Sequence, residues 1–224
     1  YTKSSFSASA STFILGGTAS VPIVREKVSL LASARVSPLG PEFKAVQSLV
    51  GGALDSLSRT RAMTYDAFAK VKWIVDSDNV LSLSVFGSQD GYSYRYANSD
   101  EGLRWANCII NARHDGVLAN GWKIKDGLSY DHFSNSQWIS RDMNGTINNL
   151  DIVSSLDELM ADAVFTHPIQ SYAEIRLGAR ERFTWFNPGT SASFKGKNPV
   201  MILPNEYPVN LAFLDPRGPS GRRI

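Results

Sequence analysis

Apolar and polar positions alternate along Tyr65–Phe86. Ala67, Ala69, Val71, Trp73 and Val75 share one parity, and Phe68, Lys70, Lys72 and Ile74 share the other. Successive side chains of an extended strand point to opposite faces, so this segment predicts a strand with an aliphatic face and a lysine-bearing face. Asp76-Ser77-Asp78-Asn79 supplies turn chemistry, because short polar side chains bond their own backbone. Leu81, Leu83 and Val85 then resume the alternation against Ser82, Ser84 and Phe86, which predicts a hairpin.

The same period recurs along the chain. Ser5–Val21 reads as a loose strand of small residues with Gly16-Gly17 at its middle, and Pro22–Lys27 as a short turn. Lys27–Ser37 carries Val28, Leu30, Ala32, Ala34 and Val36 on one face. Strands are further predicted over Leu103–Arg113, Trp122–Phe133, Leu156–Thr166 and Gln170–Phe183. In the last of these, Ala173, Ile175, Leu177 and Ala179 oppose Glu174, Arg176, Arg180 and Arg182. Pro38–Met63 departs from the pattern: Phe43, Val46, Leu49, Val50 and Leu54 fall near helical spacing and Gly51-Gly52 interrupts the segment, predicting a long excursion with one or two helical turns. Ser88–Gly102 and Ser134–Asn149 read as long polar connections, and Asn187–Ile224 as loop.

About eight strands follow, with connections that alternate in length. Short turns are expected near Val24, Ser77, Val117 and Pro168, and long loops at the other end of the strands. In an up-and-down antiparallel meander every second connection lies at the same rim. The pattern therefore predicts an all-β arc of a transmembrane outer-membrane barrel, with short periplasmic turns and long extracellular loops. Trp73 and Trp122 fall near the short-turn ends, where an aromatic girdle belongs. The other face, with Arg35, Lys70, Lys72, Arg113, Lys123, Lys125, Glu174, Arg176 and Arg180, suits a wet lumen better than a packed core. A soluble lectin-like β-sandwich, or a structural component of a cell-surface assembly, would also alternate. The asymmetry of the loops is what favours the barrel. On this reading Ala173, Ile175 and Leu177 touch lipid, Arg176 and Arg180 point inward, Ile175 is the place where an arginine is costly, and a lysine at Ser129 is tolerated.

Composition narrows the function classes. A net charge of +2 over 224 residues gives no argument for nucleic acid as a partner. The single cysteine, Cys108, excludes an internal disulfide framework and a cysteine-rich zinc site. No apolar run approaches the roughly 20 residues of a membrane helix.

Four stretches in order carry a family resemblance: PIVREKVSLLASAR, YDAFAKVKWIVDSDNVLSLSVFGSQD, LRWANCIINARHDGVLANGWKIKDGLSYDHF and IQSYAEIRLGARERFTWFNPG. Together they resemble the barrel of TonB-dependent outer-membrane receptors of the Bacteroidetes type. Val21-Pro22-Ile23 and Glu26-Lys27-Val28-Ser29 stand at the family's opening turn, ahead of a strand that carries Arg35. Tyr65-Asp66, Trp105-Ala106-Asn107 and Phe186-Asn187-Pro188-Gly189 follow in the expected order. The resemblance spans most of residues 1–190, with 191–224 read as an extracellular-loop-like tail. It implies an outer-membrane location and energised nutrient import. The partners it implies are membrane lipid, the remaining barrel strands, a plug domain, TonB acting through that part, and a surface lipoprotein. The family's plug and TonB box are absent from this sequence, and its barrel has about 22 strands with a plugged lumen. This sequence is therefore expected to be one arc of a larger wall.

No catalytic arrangement, metal site or cofactor site is read from the residues, and no enzymatic activity is expected. His114, His132 and His167 read as turn and rim residues, without an oriented partner and nucleophile. Asp76, Asp78 and Asn79 lack the closing glutamate of a calcium loop. The candidate ligand contacts are Tyr92, Tyr94 and Tyr96, whose rings could stack on a ligand from a long loop, and Arg176 and Arg180 on the lumen face.

Overall fold

The computed structural model describes residues 3–50, 60–96, 99–143, 146–169, 173–195 and 198–200. They form a single ten-stranded sheet in strict sequence order, each strand pairing antiparallel with the next. The elements are β1 (Ser5–Ala10), β2 (Leu15–Val24), β3 (Val28–Pro38), α1 (Leu39–Val50), β4 (Thr60–Ile74), β5 (Asn79–Tyr96), β6 (Ser99–Val117), β7 (Lys123–Met143), β8 (Thr146–Ile169), β9 (Ala173–Lys195) and β10 (Asn198–Val200). Nine strands have six residues or more, and β10 has three. The sheet is an open meander: β1 and β10 are its ends and do not pair with each other.

The predicted alternation sets the register. Trp73 lies between Val28 and Leu81, Val71 between Leu30 and Leu83, and Ala69 between Ala32 and Val85. A slip of one residue would mix the two faces, so a single register satisfies the whole stretch. The short turns gather at one rim. Arg25–Lys27 connects β2 to β3, Val75–Asp78 connects β4 to β5 and Leu118–Trp122 connects β6 to β7, while 170–172, between β8 and β9 in sequence, lie outside the described residues.

Several expectations change. Ser5–Val21 is two strands, because the Ser11 hydroxyl accepts from the Ile14 amide at 3.0 Å and closes a turn at Ser11–Ile14. β2 runs through Pro22 to Val24 with a register shift, leaving a three-residue turn. Helix α1 has twelve residues, about three turns rather than one or two. The largest change is at the opposite rim. The described residues of Ser88–Gly102 and Ser134–Asn149 are strand and not loop: Tyr96 pairs with Ser99 and Met143 with Thr146. These segments are rich in Tyr, Trp, Ser and Ile, residues that suit paired strands. With polar residues at both parities, they carry no aliphatic stripe to mark them. Asn187–Lys195, also expected as loop, belongs to β9, so the boundary drawn at residue 190 falls inside a strand. The rest of the tail, 201–224, lies outside the described residues, as do Gly51-Gly52 and Asn144-Gly145. His167 and Pro168 lie within β8 rather than in a turn.

Burial inverts the arrangement of a water-soluble sheet. Among the described residues no hydrophobic side chain is buried, and the one buried polar residue is Ser129, 5 % exposed. On β5, Leu81, Leu83 and Val85 are exposed while Ser82, Ser84 and Phe86 are half-buried. On β5, and on β4 along Arg61–Ala69, the aliphatic face is thus the open one and the opposite face the sheltered one, whereas on β9 residues 173–187 are exposed at both parities. A β-sandwich places its aliphatic faces between two sheets; the strands of the described residues form one sheet.

The β2–β3 turn contains the one described non-glycine residue with positive φ, Glu26 at 61°, and Lys27 N–H donates to the Val24 carbonyl at 3.0 Å. A three-residue hairpin that closes on a left-handed residue prefers glycine there. Glu26→Gly is expected to stabilise by a few tenths to about 1 kcal/mol, and Glu26→Val to destabilise. The shift of the urea midpoint measures both.

Candidate functional site

The sheltered face is organised by charge pairing between strands. Arg35 donates from Nε to both Asp66 oxygens at 3.1 and 3.0 Å, directly across β3 and β4. On β6, Arg113 reaches over β7 to Asp162 of β8 at 3.7 Å. Gly127 lies between them in register, and a Cβ there would stand 3.3 Å from the Arg113 side chain and 3.5 Å from Asp162. Its lack of a side chain opens the path for the pair. Glu158 is held by Arg182 at 3.3 Å. Asp131 stands directly opposite Glu158, and its Oδ1 is buried without a hydrogen-bond partner. Lys125 and Asp115 pair nearer the short turns at 3.6 Å. Phe68, Phe86 and Ile109 form one adjacent row, and Phe133, Leu156 and Phe186 lie along the next. The face therefore combines basic rows, their carboxylates and an aromatic strip.

The open face has a different organisation: an aliphatic band, interrupted on β9 by Glu181 in the row of Leu83, with polar clusters at its two borders. Toward the short turns, His114 Nδ1 lies 3.0 Å from Asp126 Oδ1 and Nε2 lies 3.0 Å from Asn79 Oδ1. The Asn79 amide nitrogen donates to Asp76 at 2.9 and 3.0 Å, so its oxygen is the acceptor facing the ring. Donation from both ring nitrogens satisfies this geometry. Asp76 also accepts from the Asp78 amide at 2.8 Å. That bond, followed by the Asn79 side chain, holds the Asp76 carboxyl below the usual carboxylate range. The turn chemistry expected of this segment is thus present in detail. Trp122 stacks on His167 at 4.9 Å near the same rim.

At the opposite border Asp157 accepts from Tyr130 Oη at 2.6 Å and from His132 Nδ1 at 2.7 Å, with Cys108 across from His132 in register. Beyond that border Trp138 covers Gly102, and Arg104 lies 6.0 Å from the Trp138 ring. Along β4, Trp73 and Tyr65 flank Val71, Ala69 and Ala67 on this face. Their eight residue steps cover about 27 Å along a strand, or about 20 Å at a tilt of roughly 40°, near the ~25 Å apolar band of outer-membrane barrels.

The five residues proposed as ligand contacts do not come together. Arg180 shares a row with Ser82, through Asp162, Gly127 and Arg113. Tyr92 is ten residue steps farther along β5 and four strands away, about 34 Å along the strands and about 19 Å across them. Tyr92 and Tyr94 are strand residues opposite Leu103 and Glu101, not loop residues, because β5 continues past them. Tyr96 ends the strand opposite Ser99. Arg176 sits opposite Thr166, near the short-turn rim. Ser129 is too sheltered to accept a lysine at low cost. Ile175, opposite His167, is at the rim rather than mid-band. The acidic partners Asp131, Glu158 and Asp162 were missed because their meaning lies in the strand beside them. The same holds for His114 and His132, expected in turns and found in strands, each bonded to a carboxylate across the sheet. Asp126 and His132, which interrupt the apolar alternation, were the visible signal of these pairs.

No known protein family matches the chain, and no curated relative matches it.

Proposed function

We propose that this chain is a segment of the wall of an outer-membrane β-barrel, in a receptor of the TonB-dependent type that imports a nutrient. The observation that carries the reading is the inverted burial of β5 and of β4 along Arg61–Ala69, where apolar side chains are exposed and the opposite parity is half-buried. Water offers nothing to cover a continuous aliphatic face of this kind, whereas lipid covers it at no cost in backbone hydrogen bonding. The placement of the short turns at one rim adds support, as does strand length. A tilted strand crosses a bilayer in about 9–11 residues. β2 and β3 have 10 and 11, while β4 through β9 have 15 to 24. The surplus rises on the side away from the short turns, where an outer-membrane receptor presents its external surface. Arg35 and Tyr65-Asp66, two of the features behind the receptor resemblance, are each other's cross-strand partners.

Two measurements test this. The purified chain is expected to float with lipid vesicles in a density gradient and to stay with them at high salt. In cells, an epitope tag at Gly51-Gly52 is expected to be reached by antibody on intact cells, and one at Ser77 only after the outer membrane is opened. A chain that stays monodisperse without detergent and ignores vesicles removes the membrane reading. A Ser77 tag exposed while the Gly51 tag is silent reverses the orientation and takes the long strands out of contact with external ligand.

A further inference from the structure

Among the described residues, the parity that carries the aliphatic band on β1–β9 holds three basic residues, Arg61, Arg95 and Arg104. All three lie beyond the row of Tyr65, on the side away from the short turns. Arg104 shares the row of Met63, one row past Tyr65, and Arg61 stands one row farther, in line with Ser93 and Gly102. At a tilt of roughly 40° these rows lie about 5 and 10 Å beyond Tyr65. The headgroup layer takes up about 5–8 Å on each side of the hydrocarbon, and a long arginine side chain bridges the remainder.

Arg95 is paired with Asp100. Arg61 and Arg104 are exposed and form no ion pair among the described residues. Asp151, the carboxylate in the row of Arg61, lies on the far side of Trp138. Between the two arginines the surface is low, since Gly91 stands opposite Arg104, Ser93 opposite Arg61, and Gly102 lies under the Trp138 ring. The Arg104 guanidinium is 6.0 Å from that ring, a cation–π contact that helps to place it. Two strands and two residues separate the arginines, about 12 Å between Cα atoms, which lets both side chains converge on one anion.

We infer that Arg61 and Arg104, beside Trp138, form a site for the phosphate of an anionic lipid headgroup in the leaflet at this rim. The inference rests on the reading of the chain as an outer-membrane wall, which sets lipid against this face. The planar fork of arginine takes phosphate oxygens two at a time, so two uncompensated guanidiniums at headgroup depth suit a phosphate better than a zwitterion. Met63, 49 % exposed, and Tyr65, 42 % exposed, join the patch to the aliphatic band. A ligand with an anionic head and an apolar tail therefore matches both parts.

The test uses the full chain in uncharged detergent micelles and two fluorescent lipids with the same acyl chains, phosphatidic acid and phosphatidylcholine. Anisotropy is expected to show phosphatidic acid held about tenfold more tightly. Arg61→Gln with Arg104→Gln is expected to bring that preference below about twofold. Lys70→Gln with Lys72→Gln, the same change of charge on the opposite face, is expected to leave it intact. Ser93→Asp sets a carboxylate between the two arginines; it is expected to abolish the preference too, and it decides should the arginine variant fail to fold. Equal binding of the two lipids by the original chain, or equal losses in the arginine and lysine variants, overturns the inference. So does displacement of labelled phosphatidic acid by inorganic phosphate as effective as that by unlabelled phosphatidic acid, which marks a site for the free anion. Flotation on phosphatidylcholine vesicles reports separately on the wall. A chain that floats without discriminating loses the lipid site alone, and one that does not float loses the wall reading and the lipid with it.

Discussion

Replacing Leu83 by arginine is expected to destabilise the chain by about 2–4 kcal/mol in a lipid bilayer. Leu83 is 49 % exposed, on the aliphatic face between Val71 and Ala112. It stands mid-band, with Val85 and Leu81 above and below it on the same strand. A guanidinium there meets hydrocarbon, and the carboxylate in its row, Glu181, lies four strands away. Lysine at Thr184 is the matched control: it is exposed on the charged face, and its hydroxyl already lies 3.5 Å from Glu158 Oε2. That substitution is expected to cost less than about 1 kcal/mol, since a new cation gains a carboxylate neighbour in a wet environment. Urea unfolding in vesicles, followed by tryptophan fluorescence, reads both. Equal penalties at the two positions would dissolve the assignment of faces. A penalty at Leu83 that persists undiminished in aqueous buffer would place its cause in packing and not in lipid.

The second large effect concerns glycine. Gly116 lies beside the ring of His114, and a Cβ built there would stand 2.7 Å from Cε1 and Nε2 and 2.9 Å from Asn79 Oδ1. The ring has little room to retreat, because Asp126 holds it from the other nitrogen. Asn79 is tied in turn to the Asp76 turn. Gly116→Ala is therefore expected to break the His114–Asn79 bond and cost about 1–3 kcal/mol. Gly87→Ala serves as the comparison, since its new Cβ would meet only the Asn107 carbonyl at 3.9 Å, an ordinary contact. That change is expected to fall within about 0.5 kcal/mol of neutral. The same urea titration separates them, and the nuclear magnetic resonance signals of the His114 ring should move in the first variant alone. If both alanines behave alike, the network has no role in fixing this rim.

Much of the fold was legible because strand period is a local property. The two parities of β4 and β5, the turn at Asp76–Asn79 and the gathering of short turns at one rim follow from residue order and the pleat alone. Strand ends were less legible. Beyond the aliphatic band, Ser88–Gly102 and Ser134–Asn149 lose their alternation because polar side chains suit both faces there. A paired ribbon and a polar loop then look alike in sequence. The hairpin at Ser11 was hidden among small residues for a related reason, since Ser and Ala favour neither face.

The sequence by itself determined which side chains share a face of each strand, because that depends only on a period of two. Tertiary structure alone decided which face is open and which sheltered, and which charges meet. Arg113 finds Asp162 across a glycine, Glu158 finds Arg182, and Glu174, Arg176 and Glu181 find no counter-charge on the strand beside them. Such pairings join residues far apart in the chain, and their existence depends on the register between strands. The alternation within a single strand carries no record of it.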